Sequence, residues 1–228
     1  MLNTLSSLFF PPSCMACNDQ LLETRRLLCN GCMTAMPRLD PHDRCPICFQ
    51  WLEGPVCTDC KNKCEGFRMA AVFHYESPAA AFIKQLKYQG REELAPAMAA
   101  WMLIHYHDLN FPWPDAIIPV PQSFPRRLVR GYNPSSQLAV ALSKLMKVPL
   151  MQPLRRMWKA FPQAGKGAKE RVKMSQDEFR LRSQTDLADK TLLLIDDVIT
   201  TGTTIKRCSK TLQLAFPRKV CALGFCLA

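Results

Sequence analysis

The chain has 228 residues, of which 48% are hydrophobic and 21% charged, a balance that excludes a disordered protein and suits one medium domain or a domain with a small appendage. Its formal net charge of +11 points to anionic partners. No apolar run reaches the length a membrane-spanning helix requires, so no transmembrane segment is expected.

At the start, Leu2 to Phe10 is apolar but has no basic stretch before it and no small-residue cleavage site after it. It is expected to dock on the body of the protein rather than to direct secretion, and the chain to be cytoplasmic. The next segment is rich in cysteine. Nine of the twelve cysteines precede residue 66, and eight of them form C-x2-C knuckles: Cys14/Cys17, Cys29/Cys32, Cys45/Cys48 and Cys57/Cys60. A knuckle puts two thiolates on one tight turn, half of a tetrahedral zinc site, so four knuckles supply two structural Zn2+ ions. Pairing can be sequential, first with second and third with fourth, or interleaved. Disulfides do not suit a chain without a secretory signal. A closed four-thiolate site has no open position for substrate, so these zincs are assigned to folding. Cys64 is left over as a free thiol. The stretch closes near Lys63 to Phe67, which divides the chain into a double zinc ribbon at 1–66 and an α/β domain at 67–228.

Beyond that boundary, short apolar runs alternate with helical patterns. Strands are expected at Met69 to Tyr75, Ala116 to Val120, Thr191 to Ile195 and Val220 to Leu227. Helices are expected over Ala79 to Leu103 with a break near Gly90, over Gln137 to Met146 with Leu138, Ala141, Leu142 and Leu145 inward, and from about Thr203 to Leu214. Continuous apolar strands separated by helices imply a mainly parallel sheet covered on both faces. The charge is concentrated between the second and third strands. Residues 121–182 hold 14 basic and 3 acidic residues, a net +11 that equals the excess of the whole chain.

The third strand runs into Asp196-Asp197-Val198-Ile199-Thr200-Thr201-Gly202-Thr203-Thr204. In open α/β sheets, ligands bind beyond the carboxyl ends of the strands. Two adjacent carboxylates there are costly without a partner. Small hydroxyl residues, a glycine and the free N–H groups of a helix start make a phosphate cradle. Acids beside an anion cradle suit a sugar phosphate, hydroxyls to the acids and phosphate to the loop.

Residues 192–204 resemble the binding motif for 5-phosphoribosyl 1-pyrophosphate (PRPP) of type I phosphoribosyltransferases. The resemblance implies that Asp196 and Asp197 bind the ribose hydroxyls, directly or with Mg2+, and carry the catalytic role. Thr200, Thr201, Gly202, Thr203 and Thr204 would then bind the 5-phosphate. The whole order of motifs, with cysteine knuckles first, then Ile118-Pro119-Val120-Pro121, then Arg126 to Asn133, then the PRPP loop, is similar to the ComF/GntX family of competence-associated bacterial proteins. In that family the segment after Pro121 faces pyrophosphate, which implicates Arg126, Arg127, Arg130 and Asn133. Two departures stand out. Pro134 follows Asn133 where the family has glutamine, and the mobile-loop motif survives only as Gln163, Glu170, Arg171 and Phe179, with Lys173 near the expected asparagine.

Two functions follow from the resemblance and the charge. One is a phosphoribosyltransferase with an unidentified acceptor, whose loop from about Arg155 to Lys173 closes over the site. The other is the handling of single-stranded DNA in natural transformation, together with a ComF-type DNA helicase. There the 121–182 block would contact phosphates while Tyr132, Trp158 and Phe161 stack on bases.

Overall fold

The computed structural model describes residues 12–23, 26–52, 57, 60, 67–157, 178–182 and 186–228. Leu192, Leu193, Leu194 and Ile195 are all fully buried. Because successive strand residues face opposite ways, burial of all four means that both sides of their sheet are covered. That sheet is parallel and four-stranded, in the order β1 (Phe67–His74), β6 (Lys219–Leu227), β5 (Thr191–Ile199), β2 (Ala116–Pro119). A separate antiparallel ribbon joins β3 (Leu154–Arg156) to β4 (Phe179–Leu181).

The helices are α1 (Asn30–Thr34), α2 (Ala79–Tyr88), α3 (Ala95–Asp108), α4 (Phe124–Arg130), α5 (Pro134–Met146) and α6 (Thr203–Gln213). Helix α3 packs on α5 and reaches β1 and β6, α5 lies along β2 and β5, and α6 contacts β5, β6 and the ribbon. Phe73 of β1, Phe82 of α2, Trp101 of α3 and Phe225 of β6 meet in edge-on pairs that lock these elements together.

The expected strands and helices are present, with shifted ends. Helix α5 begins at Pro134, whose fixed φ suits a first helical turn. Its inward stripe runs through Leu138, Leu142 and Met146, while Leu145 is 46% exposed, because residues four apart share a helix face. The third strand extends through Ile199, so the acid pair lies inside β5 rather than beyond it. Helix α4 and the β3–β4 ribbon were not expected. Leu2 to Phe10, Cys64, Trp158, Phe161, Gln163, Glu170, Arg171 and Lys173 lie outside the described residues.

Both outer strands of the sheet are bonded by neighbouring chain. The backbone N–H of Leu39 donates to Val72 O at 2.8 Å and that of Met69 to Ile47 O at 2.9 Å, so cysteine-rich chain lies against β1. On the far side, Ile117 donates to Pro149 O and Met151 to Ile117 O, each at 2.9 Å. The cysteine-rich part is further attached by Arg68, whose Nε donates to Pro46 O at 2.9 Å, and by Gln85, whose Nε2 donates to Met15 O at 3.2 Å.

Candidate functional site

The cysteines gather into two groups. The Sγ atoms of Cys14, Cys17, Cys29 and Cys32 lie within 4.8 Å of one another, as do those of Cys45, Cys48, Cys57 and Cys60. The chain therefore pairs its knuckles sequentially, and the interleaved alternative is set aside. Cys17 and Cys29 sulfurs are 3.7 Å apart and those of Cys48 and Cys57 3.6 Å. Tetrahedral zinc with bonds of about 2.3 Å separates its sulfurs by about 3.8 Å, so both groups fit the ion. Local turns pre-form the knuckles: Asn18 N–H donates to Cys14 O and Phe49 N–H to Cys45 O, each at 2.9 Å, and Cys29 Sγ caps α1 by accepting from Cys32 N–H. Two four-thiolate groups of this geometry are compatible with two structural zinc ions.

The second site opens where β5 outruns its neighbour. Strand β2 ends with Pro119 opposite Ile195, so from Asp196 onward β5 has no β2 partner. A cleft of about 560 Å3 occupies that space. Asp196, Asp197, Thr200 and Thr204 line it from one side, and Arg126, Arg130 and Asn133 from the other. Arg127 faces an adjoining pocket instead. Thr201, Gly202 and Thr203 form the turn between Thr200 and Thr204 without reaching the cleft wall. The hydroxyls of Thr201 and Thr203 bond each other at 2.8 Å.

Gly202 caps α6 with φ +68°, and a Cβ there would stand 2.7 Å from Met69 Cε. Only glycine takes that left-handed turn without strain while packing so closely. The first-turn N–H groups of α6 are thereby free of intrahelical acceptors beside Thr200 and Thr204. Asn133 has a structural hold as well: its Nδ2 donates to Val120 O at 2.9 Å and fixes the loop after β2.

The two acids differ in their partners. Ser135 Oγ and the Asp197 N–H both donate to Asp196 Oδ1 at 2.9 Å. Burial, and next the charge of Asp197, push the Asp196 carboxyl up to about 7. Asp197 pairs with Lys87 of α2, Nζ to Oδ1 at 2.7 Å. Lys87 was missed in the sequence because its partner lies 110 positions away in the numbering and nothing local marks it. Gln122 was missed too. Among the described residues its buried Oε1 and Nε2 find no hydrogen-bond partner, and it lines the cleft just after Pro121. An orphaned amide at a cleft wall is suited to a polar ligand.

Beside this cleft, and sharing Pro121, Gln122, Asn133 and Arg156 with it, lies a pocket of about 340 Å3 that also carries Arg127, Arg155 and Arg182. In the ribbon, exposed Arg155 stands directly opposite exposed Arg180. Like charges face to face are unfavourable unless an anion lies between them. Arg156 turns to the other side, over the Phe179 ring at 5.4 Å, and pairs with Glu178. Glu178 also pairs with Arg207 of α6. Burial raises its carboxyl, but the two guanidiniums outweigh that and hold it below the usual range. The Tyr132 hydroxyl donates to Leu86 O, which ties its ring to α2.

No family model matches the chain. Curated relatives span nearly all of it. Competence protein F of Haemophilus influenzae is 29% identical over 212 residues, covering 90% of this chain and 92% of that protein. Competence protein ComFC of Streptococcus pneumoniae is 28% identical, covering 85% and 84%. Along most of its length this chain is thus similar to ComF proteins. The DNA utilization protein YhgH of Escherichia coli is also similar, at 26% identity over 87% of this chain and 83% of its own length. Among solved structures, a purine phosphoribosyltransferase from Pyrococcus horikoshii matches 60% of this chain and 73% of its own, at 18% identity and a TM-score of 0.35. That likeness is too loose to argue from. The chain's own parallel sheet, flanking helices and paired cysteine groups form the architecture expected from the sequence.

Proposed function

We propose that this chain is a ComF-type protein, which binds PRPP in the cleft at the end of β5 and handles single-stranded DNA on the arginine surface beside it. One observation carries the proposal: an acid pair, a hydroxyl turn at a helix start and three arginines, Arg126, Arg130 and Arg156, converge on one cleft. Asp196 and Asp197 would accept from the ribose hydroxyls. Thr200, Thr204 and the first N–H groups of α6 would hold the 5-phosphate. Arg126 and Arg130 would hold the pyrophosphate, with Gln122 donating its free amide; guanidinium forks suit phosphate oxygens. Mg2+, when bound through the acid pair, would add charge neutralisation at the pyrophosphate.

Arg127, Arg155, Arg180 and Arg182 would contact the DNA backbone, so affinity should be sequence-tolerant and fall steeply with salt. In this proposal the protein works in the cytoplasm with a ComF-type DNA helicase, and residues 1–66 form the zinc-bearing unit while 67–228 bind the ligands. The test has two arms. Mg2+-PRPP should raise the melting temperature, and the Asp196→Ala/Asp197→Ala double variant should lose that rise. Arg155→Ala/Arg180→Ala should lower single-stranded DNA affinity and its salt slope, with zinc content unchanged. A double acid variant that responds to PRPP as the parent does, or an arginine variant that binds DNA as before, refutes the corresponding half.

A second proposal, phosphoribosyl transfer without DNA binding, has its own supporting observation. A side cavity of about 480 Å3 walled by Tyr88, Pro125, Val129 and Tyr132 adjoins the cleft. Its apolar walls would suit a planar acceptor. Release of pyrophosphate from PRPP that depends on an added acceptor would support it.

A further inference from the structure

We propose that Lys87 is a resident cation of the PRPP site, which bridges Asp197 to the pyrophosphate so that PRPP binds without a divalent ion. This deepens the PRPP proposal above and rests on it. Lys87 sits in the last turn of α2 and lines both the cleft and the side cavity. Its side chain is 18% exposed and that of Asp197 11%, so the 2.7 Å pair is shielded from solvent rather than dispersed in it. The negative end of α2 favours a cation at this position.

An ammonium has three donors. Among the described residues the acid Lys87 pairs with is Asp197, which occupies one donor and leaves the others for the cleft. Asp196 is engaged separately, by Ser135 Oγ and the Asp197 N–H. The two carboxylates thus have different tasks. Asp196 presents its remaining oxygen to the ligand, while Asp197 anchors a positive charge. Across the cleft stand Arg126 and Arg130, where the pyrophosphate would lie. A pyrophosphate there brings strong negative charge next to two acids, and something positive must stand between them. A hard divalent ion commonly does this. Here the Lys87 ammonium, already paired with Asp197 and lining the same cleft, would supply that charge.

The test is calorimetric titration of PRPP into the zinc-loaded full chain. It is run in buffer stripped of other divalent ions over a chelating resin, then with saturating Mg2+, with zinc content measured in both. The parent protein should bind PRPP in both buffers, with affinities within about threefold of each other. Lys87→Met should lose roughly tenfold or more in the stripped buffer, the scale of a charge-assisted contact, and recover most of it with Mg2+. Lys87→Arg should retain binding without Mg2+. Parent binding that strictly requires Mg2+ overturns the resident-cation proposal while leaving the PRPP site standing. So does a Lys87→Met variant whose Mg2+ dependence matches the parent's. Absence of PRPP binding by the parent even with saturating Mg2+ overturns the PRPP site itself. Should Lys87→Met fail to fold, the parent's two titrations and Lys87→Arg decide the matter.

Discussion

Asp196 carries a cost that its surroundings only partly offset. Burial and the neighbouring Asp197 charge raise its carboxyl to about 7, whereas the unfolded chain would hold it near the ordinary value of 3.8. Between those limits the folded state binds a proton that the unfolded state does not, so stability falls as pH rises through the window and levels off above it. Asparagine at this position keeps an acceptor for Ser135 and for the Asp197 N–H but cannot ionise. Without PRPP or Mg2+, Asp196→Asn should therefore melt higher than the parent at pH 8, by roughly 5 °C, and by only about 2 °C at pH 5. Melting curves at the two pH values measure this directly, and equal slopes for parent and variant would refute it. A group kept at this cost is what a ligand site requires, since the energy is recovered when hydroxyls or a cation arrive.

Among the elements, the β3–β4 ribbon and α6 are joined through Glu178, which pairs with Arg156 and Arg207. Glu178→Gln should loosen that joint and lower the melting temperature. It should also tighten single-stranded DNA binding at low salt, because two arginines lose their internal partner and the surface gains positive charge. Loss of stability with weaker DNA binding would refute the assignment of this surface. The ribbon also shows where the sequence stopped being informative. Strands β1, β5 and β6 were legible as continuous apolar runs, and the knuckles and the Asp196 to Thr204 turn as fixed spacings, since each signal is local. Leu154–Arg156 and Phe179–Leu181 are three residues each and mostly charged or isolated apolar, so they become strands only by pairing across a long gap. Helix α4 buries none of its residues and left no periodic stripe to detect. Lys87 and Gln122 gained their meaning from distant neighbours. Leu145 was misplaced because a three-residue step and a four-residue step look equally helical until packing selects one.

For the whole molecule, the two cysteine groups imply two zinc ions per chain, and a metal assay on fresh protein should find about two. Cys29→Ser should release one and lower the melting temperature, while Cys64→Ser should leave metal content unchanged. A parent value of one or none would refute the two-site assignment. More depends on these ions than the folding of their own loops. The chain around Leu39 and Ile47 bonds to Val72 and Met69, on the outermost strand of the sheet. Strand β1 is rich in apolar residues, Phe67 to Phe73 being buried except at Arg68. Without zinc, its backbone would be left as a bare template for another copy of itself. Metal depletion should therefore appear first as concentration-dependent aggregation with cross-β character, before the α/β core unfolds; zinc bound at these groups would guard against insolubility as much as build structure.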